Sequence, residues 1–177
     1  MKSSMLLVGV LLPTFVMAQE WKPSVVHDLN GDIPAVEISN ESGDSKLKVY
    51  KKKIGIPTLK VAPTERAVFE FSTNSLDQIE AQKQVIYKAN QGRVFNLTPS
   101  ASIGGLTNKV ETVAFHGQSS PQCGIVGNMI NSESLTVRYI TTGDKNVDVK
   151  FKLPADHTAL YNILKLDSTK DCKVISE

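Results

Sequence analysis

Few cysteines occur in this sequence, and their scarcity limits thiol redox chemistry and metal binding. The chain has 177 residues and only two cysteines, Cys123 and Cys172. No C-x-x-C pair is present, which argues against a thioredoxin-like redox role. The three histidines, His27, His116 and His157, lie far apart, and none has a second histidine or a cysteine at zinc-ligand spacing. We therefore expect no metal and no other cofactor.

Charge of one sign is not in excess either. The chain has 20 lysines and arginines against 18 aspartates and glutamates, a formal net charge of +2. This balance argues against a general nucleic-acid binder. The glycine and proline contents are too low for a collagen-like or disordered chain. The sequence also lacks internal repeats, coiled-coil heptads and low-complexity tracts. A length of 177 residues fits one domain.

The longest apolar run lies at the start of the sequence and is typical of a secretory signal. Lys2 supplies a positive charge, residues 5–17 are almost entirely apolar, and Ala18 ends the run with a small residue. The run is short for a membrane-spanning helix, which needs about 20 residues. We predict a cleavable signal peptide over residues 1–18, cleaved after Ala18, and a periplasmic or secreted mature chain. An uncleaved anchor is the alternative.

Two cysteines behind a secretory signal predict one disulfide bond, Cys123–Cys172. In the chain-entropy model, a cross-link that closes a loop of about 50 residues stabilises the fold by roughly 4 kcal/mol. Two free thiols, or a bond between two molecules, are the alternatives.

Alternation of apolar and polar residues is clearest over residues 134–153, which we predict to form a β-hairpin. Leu135, Val137 and Tyr139 alternate with polar residues, and the alternation resumes from Val147 to Leu153 after a turn around residues 142–146. Because successive side chains on a strand point to opposite faces, one face of this hairpin is apolar and the other is charged. We expect the hairpin to lie in the wall of a β-sheet core.

Shorter alternating segments predict further strands. They cover residues 35–40, 46–53, 58–61, 67–72, 93–98 and 109–116. Several short strands separated by turns are the signature of a β-sandwich or barrel. We predict an all-β fold, a single immunoglobulin-like β-sandwich over residues 35–177, preceded by an extended N-terminal arm over residues 19–34.

One short helix is expected around residues 75–90. Ser75 and Gln78 fit a capping box, in which each side chain bonds a free backbone donor at the start of a helix. A strand at residues 84–89 is the alternative, because Val85 and Tyr87 also alternate with polar residues. We prefer a helix over residues 75–82 and leave the remainder open. Residues 123–130 predict a buried edge or bulged strand, and residues 157–166 either a short helix or a final strand.

The layout of residues 35–72 is similar to the first strands of extracytoplasmic immunoglobulin-like chaperone domains. The resemblance rests on the segments Val-Glu-Ile-Ser-Asn, Lys-Val-Tyr and Leu-Lys-Val-Ala-Pro, and it covers under a quarter of the chain. It implies an immunoglobulin-like sandwich outside the cytoplasm. It transfers no functional residue to this chain.

The most distinctive charged feature is a group of lysines near residue 50. Its members are Lys46, Lys48, Lys51, Lys52, Lys53 and Lys60. On a hairpin they would form a basic stripe beside Tyr50. One interpretation is a contact for an anionic partner, such as lipid head groups, an acidic glycan or an acidic protein face. The other is that lysines protect an exposed edge strand from aggregation.

Catalytic motifs do not stand out. The segment that begins at His116 and contains Ser119 is not a G-x-S-x-G nucleophile elbow, and no phosphate-binding loop is present. We therefore favour a non-enzymatic binding or structural protein of the bacterial cell envelope. It would act through a β-sheet edge or face on a protein or envelope partner, as a secretion, pilus or conjugation component or a chaperone-like protein. The alternative is a secreted inhibitor or a loop-based hydrolase working near His116 and Cys123.

Overall fold

The computed structural model describes residues 19–54, 64–75, 78–80, 83–90, 94–97, 108–114 and 125–166. These residues form two β-sheets and two short helices. The strands are β1 (Lys22–Asp28), β2 (Gly31–Ser39), β3 (Ser45–Ile54), β4 (Thr64–Thr73), β5 (Val85–Ala89), β6 (Val94–Leu97), β7 (Lys109–Ala114), β8 (Ser134–Ile140) and β9 (Asn146–Lys152); the helices are α1 (Ile125–Ile130) and α2 (Thr158–Leu164). The predicted all-β character, with two sheets, is confirmed.

Antiparallel pairing builds both sheets. The five-stranded sheet has the order β1-β2-β3-β4-β7, and the four-stranded sheet has the order β6-β5-β8-β9. The first four strands follow one another along the chain and in space, and β7 then pairs with β4. The strands β5 and β6, which lie between them in sequence, belong to the other sheet.

The hairpin predicted from alternation is β8 paired with β9. Leu135 lies opposite Phe151, and Val137 lies opposite Val149. All four side chains are buried. The turn between the strands is closed by the backbone N–H of Thr141, which donates to the carbonyl of Lys145 at 2.9 Å. The prediction for residues 134–153 is therefore confirmed.

Aromatic side chains join the two sheets in one core. The ring of Phe71 on β4 lies 5.4 Å from that of Tyr139 on β8 and 6.2 Å from that of Phe151 on β9, measured between centroids. Phe69, also on β4, lies 5.9 Å from Tyr87 on β5. Tilted and edge-to-face aromatic pairs of this kind contribute about 0.5–1.5 kcal/mol each beyond the area they bury. The shared core therefore centres on β4 and on three strands of the four-stranded sheet.

Helix α2 lies beside β2 and β3 and adds Leu160 and Leu164 to this core. The carboxylate of Asp156 accepts the backbone N–H of Thr158 at 2.8 Å at the start of the helix. The helix ends at Lys165, which has a left-handed backbone (φ 54°). Of the two alternatives for residues 157–166, the helix is the one the structure has.

Two predictions at the start and middle of the chain are wrong. The segment expected to form an arm, residues 19–34, contains β1 and the beginning of β2, which pair from Lys22↔Glu37 to Asp28↔Gly31. The described part of the segment expected to be helical, residues 75–82, is not helical. There the backbone N–H of Glu80 donates to the carbonyl of Ile140 at 2.8 Å, and Ile79 bridges Thr141. The described residues of this segment thus pair with the end of β8 and do not start a helix. Residues 85–89 form β5, which confirms the alternative prediction of a strand at residues 84–89.

Helix α1 corrects the strand predicted over residues 123–130. Residues 125–130 are helical, and Ile125, Val126 and Met129 are buried. A short apolar run cannot be assigned to helix or strand by its period, because both bury such a run. Within the described ranges, neither helix approaches the length and apolar character that a bilayer-crossing helix requires.

The five-stranded sheet curls around a second, smaller core. Adjacent strands lie about 4.8 Å apart, so in a flat sheet the edge strands β1 and β7 would be separated by about 19 Å. Yet the Lys52 ammonium on β3 lies 3.1 Å from the carboxylate of Asp28 on β1 and 4.0 Å from that of Glu111 on β7. The sheet must therefore curl toward its outer face, the face turned away from the four-stranded sheet. The second core consists of Val26, Ala35, Tyr50 and Val68, with Ile33 and Ile54 packed against it.

Candidate functional site

The lysines that the sequence singled out lie on β3, which is an interior strand. Lys46 and Lys48 project from its outer face beside β2, where their ammonium groups lie 3.3 and 3.7 Å from the carboxylate of Glu37. The Ser24 hydroxyl also donates to Glu37, at 2.9 Å. Burial alone would raise the pKa of Glu37, but the hydrogen bonds from Ser24 and Lys46 and the charges of both lysines lower it. Glu37 is thus an ionised anchor shared by two lysines.

The remaining lysines of β3 are also matched by acidic residues. Lys51 lies 3.1 Å from Glu65, and Lys52 lies between Asp28 and Glu111. Lys53 stands opposite Glu65 in the register of β3 and β4, while Lys60 lies outside the described residues. A hydrogen bond from Lys52 lowers the pKa of Asp28.

These positions weaken both interpretations of the lysine group. Because β3 is flanked by β2 and β4, its lysines do not protect an exposed edge. Because four of them contact carboxylates, their positive charge is compensated locally. Their role as an anionic-partner contact stays a prediction. The ion pairs of these lysines join β3 to neighbouring strands.

Tyr50 shares the concave outer face with Lys46, Lys48 and Lys52, whereas Lys51 and Lys53 point to the opposite face, so the lysines of β3 do not form one stripe. The side chain of Tyr50 is completely buried, and its hydroxyl has no hydrogen-bond partner among the described residues. Burial raises the pKa of Tyr50 above its ordinary range, and the charges of Glu111 and Glu70 add to the effect, as does a contact of the hydroxyl with Glu111 that falls short of hydrogen-bond geometry. Glu70 is itself buried, with the ammonium of Lys109 at 3.0 Å. The sequence correctly placed Tyr50 on the lysine face of the strand but did not indicate its burial.

A different group of lysines lies on the outer face of the four-stranded sheet. Lys88 on β5 is opposite Thr136 on β8, which is in turn opposite Lys150 on β9. Lys152 follows two residues after Lys150 and points to the same face. All three lysines are exposed, and no ion pair involving them occurs in the described part of the chain. We call these three residues, Lys88, Lys150 and Lys152, the basic face.

The only described carboxylate on the same strands of this face is already engaged. Both oxygens of Asp148 accept hydrogen bonds from the Arg138 guanidinium, at 2.6 and 2.7 Å. This bidentate contact lowers the pKa of Asp148 and raises that of Arg138. Val94 on β6 lies opposite Lys88 and is half exposed. Among the described residues, the positive charge of the basic face is therefore not compensated by an ion pair, and an exposed apolar side chain lies beside it.

An open cleft lies at the end of β9, beside the basic face. We call it the end cleft; it has a volume of about 620 Å³. It is lined by Gln19, residues 130–133 after α1, residues 152–155 after β9, and His157. Ligand sites in proteins occupy roughly 300–1,000 Å³. The end cleft falls in this range, and Lys152 belongs both to it and to the basic face.

His157 ties the end cleft to the N-terminal segment. The indole N–H of Trp21 donates to Nδ1 of His157 at 3.2 Å. Because an indole nitrogen can only donate, this contact requires an unprotonated Nδ1. Burial lowers the pKa of His157, while the charge of Asp156 and the backbone carbonyl of Ile130 act in the opposite direction. The neutral ring is thus engaged in holding the fold together.

Of the histidines and cysteines that the sequence singled out, the structure describes His27 and His157. His27 is exposed on β1, and its Nδ1 lies 2.7 Å from Asp32. His116, Cys123 and Cys172 fall outside the described residues, so the disulfide and the loop-based site stay predictions. Among the residues described, no group of three or more histidine, cysteine, aspartate or glutamate side chains could hold a metal ion.

Sequence reasoning missed the basic face and the end cleft as sites. The charged alternation of β9 already indicated Lys150 and Lys152, but Lys88 lay in a segment whose state was left open. Comparison of the chain with protein-family models, with curated proteins and with solved structures gives no match. The function is therefore inferred from the geometry of these surfaces and from the sequence itself.

Proposed function

We propose that this chain is an exported, non-enzymatic binding protein of the bacterial cell envelope, and that its basic face contacts an anionic lipid surface. One observation carries the proposal. Lys88, Lys150 and Lys152 share one sheet face without an ion pair among the described residues, whereas Lys46 and Lys48, on the other sheet, contact carboxylates. Uncompensated charge on an exposed face is available to a partner.

The spacing of the three lysines suits an extended anionic surface better than a single small anion. Lys88 and Lys150 are separated by one strand, which corresponds to roughly 10 Å, and Lys150 and Lys152 by roughly 7 Å. The three lysines therefore spread their positive charge over roughly 10 Å of the face and do not surround one small site. A surface with many negative groups can engage all three at once. The exposed Val94 beside Lys88 adds an apolar contact.

Export is the part of the proposal that rests on the sequence. The apolar run over residues 1–18 is typical of a cleavable signal, and cleavage after Ala18 would leave Gln19 at the start of the mature chain. Gln19 lies just before the buried Trp21. We therefore expect a periplasmic or secreted protein whose fold begins within a few residues of its cleavage site.

The immunoglobulin-like arrangement also stays a proposal. In immunoglobulin domains the third strand belongs to the second sheet, whereas β3 here lies beside β2. The feature that this chain shares with immunoglobulin domains is a pair of antiparallel sheets packed on one another.

Vesicle binding tests the lipid contact. Replacement of Lys88, Lys150 and Lys152 by glutamine should weaken binding to vesicles that contain phosphatidylglycerol. A lysine near an anionic membrane contributes about 1 kcal/mol, so loss of three lysines amounts to roughly 3 kcal/mol, a factor of about 100 in affinity. Binding of the unaltered protein should also fall as salt is added, because exposed charges are screened.

A matched control separates the basic face from net charge. Lys22, Lys46 and Lys53 are exposed lysines on the five-stranded sheet, and their replacement by glutamine changes the net charge by the same amount. This control should bind the vesicles nearly as well as the unaltered protein. Equal weakening by both triple variants, or equal binding of the unaltered protein to phosphatidylcholine vesicles, would contradict the proposal.

A further inference from the structure

The end cleft is lined by both apolar and polar residues, two of which, Glu133 and Lys152, are charged. Ile130 is half-buried at the end of α1, and Leu153 and Pro154 are buried just after β9. Lys152 also lines the cleft, is exposed, and has no ion pair within the described ranges. Apolar lining with a few placed polar groups is the usual character of a small-molecule site.

The walls of the cleft are fixed by backbone contacts. The N–H of Leu153 donates to the carbonyl of Glu133 at 2.8 Å, and the N–H of Glu133 donates to the side-chain oxygen of Asn90 at 3.0 Å. The side chain of Glu133 is exposed and also lines the cleft. A negative group in the cleft would therefore be attracted toward Lys152 and repelled by Glu133.

We propose that the end cleft binds a single-chain amphipathic anion. Its hydrocarbon chain lies against Ile130, Leu153 and Pro154, and its acid group lies at Lys152. The volume of about 620 Å³ accommodates a medium-length acyl chain. This site goes beyond the lipid-surface contact, because it takes one molecule at a time and uses Lys152 without Lys88 or Lys150.

Trp21 gives a direct readout of occupancy. It is the single tryptophan of the chain, it is buried, and it donates a hydrogen bond to His157, which lines the cleft. The experiment is a titration of the full mature chain with decanoate below its aggregation concentration, followed by Trp21 fluorescence and by calorimetry. Decyltrimethylammonium, which has the same chain length and a positive head, is the control ligand. Decanoate should bind at one site per chain and the cationic ligand at least tenfold more weakly.

Single substitutions distinguish this site from the basic face. Lys152→Gln should weaken decanoate binding about tenfold, the factor expected for loss of a charge-assisted hydrogen bond. Lys150→Gln, on the same strand and face but outside the cleft, should leave decanoate binding unchanged. Glu133→Gln should strengthen it, because the repelling charge is removed.

A steric variant tests the place of binding. Ala155 lines the cleft and is exposed, so Ala155→Phe should fill the cleft without disturbing the core and should abolish decanoate binding. No saturable binding by the unaltered protein, equal loss with Lys150→Gln and Lys152→Gln, or full binding by Ala155→Phe would overturn the proposal. If Lys88→Gln weakens vesicle binding but decanoate does not bind, the lipid-surface proposal stands and the cleft proposal falls. If decanoate binds but Lys88→Gln leaves vesicle binding unchanged, the cleft proposal stands and the lipid-surface proposal falls.

Discussion

Replacement of Tyr50 by phenylalanine should stabilise the protein. The Tyr50 ring packs with Val26, Ala35 and Val68 in the second core, and phenylalanine would keep those contacts. The hydroxyl is buried without a hydrogen-bond partner in the described part of the structure. The substitution therefore removes a polar group that has lost its hydration and has gained no well-formed hydrogen bond in exchange, although the Glu111 carboxylate acts on it.

The expected gain follows from the cost of such a group. A buried donor or acceptor without a partner destabilises a protein by about 1–3 kcal/mol. Removing the hydroxyl while keeping the ring should recover about 1 kcal/mol or more, which in a chain of this size raises Tm by roughly 2–4 °C per kcal/mol. Urea unfolding followed by circular dichroism measures the change, with an unaltered m-value as the sign that the folded and unfolded states are comparable.

Tyr87→Phe is the matched control. Tyr87 is also completely buried, but its hydroxyl is hydrogen-bonded to the Thr112 hydroxyl at 3.0 Å. Its loss should destabilise the protein by about 1 kcal/mol, the usual net worth of such a bond. Destabilisation by Tyr50→Phe of the same size as by Tyr87→Phe would refute the reasoning, since it would mean that the Tyr50 hydroxyl is bonded, for example to Glu111.

Two further predictions concern acid and reductant. Because burial lowers the pKa of His157 below its ordinary 6.5, the unfolded chain binds more protons, and stability should fall as pH drops below about 6.5; urea midpoints between pH 8 and pH 5 test this, and a His157→Gln variant with the same slope would contradict it. If Cys123 and Cys172 are bonded, reductant should lower the free energy of unfolding by roughly 4 kcal/mol, and identical unfolding curves with and without reductant would show that the bond is absent.

The parts of the fold that the sequence predicts are those in which local pattern and burial agree. The hairpin of β8 and β9 has one buried and one exposed face, so alternation identified it. On β1 the pattern fails because Val25 is exposed while Val26 is buried under the curled sheet. Tyr50 is buried on a face of β3 that also carries lysines. The sequence pattern of β3 therefore predicts one exposed face, although the strand has buried residues on both faces. Such double burial depends on the curl, which no local pattern contains.

The candidate sites were hidden for a related reason. The end cleft is assembled from Gln19, the end of α1, the end of β9 and His157, which are separated by long stretches of chain. The basic face needs Lys88 in register with Lys150, and that register exists only once residues 85–89 form a strand. The density of lysines along the sequence favoured β3 as a binding site. That density does not include the carboxylates that strand pairing brings close to those lysines.

The two outer faces differ because the sheets differ in shape. On the curled sheet, the ammonium group of Lys52 lies close to the carboxylates of Asp28 and Glu111, which belong to the two opposite edge strands. Lys48 similarly contacts the carbonyl of Val25 at 3.3 Å and the carboxylate of Glu37 at 3.7 Å. These lysines are engaged in closing the sheet over Tyr50, so a partner could recruit them only by opening that core. On the four-stranded sheet, Lys88, Lys150 and Lys152 have no ion pair with any described residue, so an anionic surface can meet them without breaking one of the ion pairs described above.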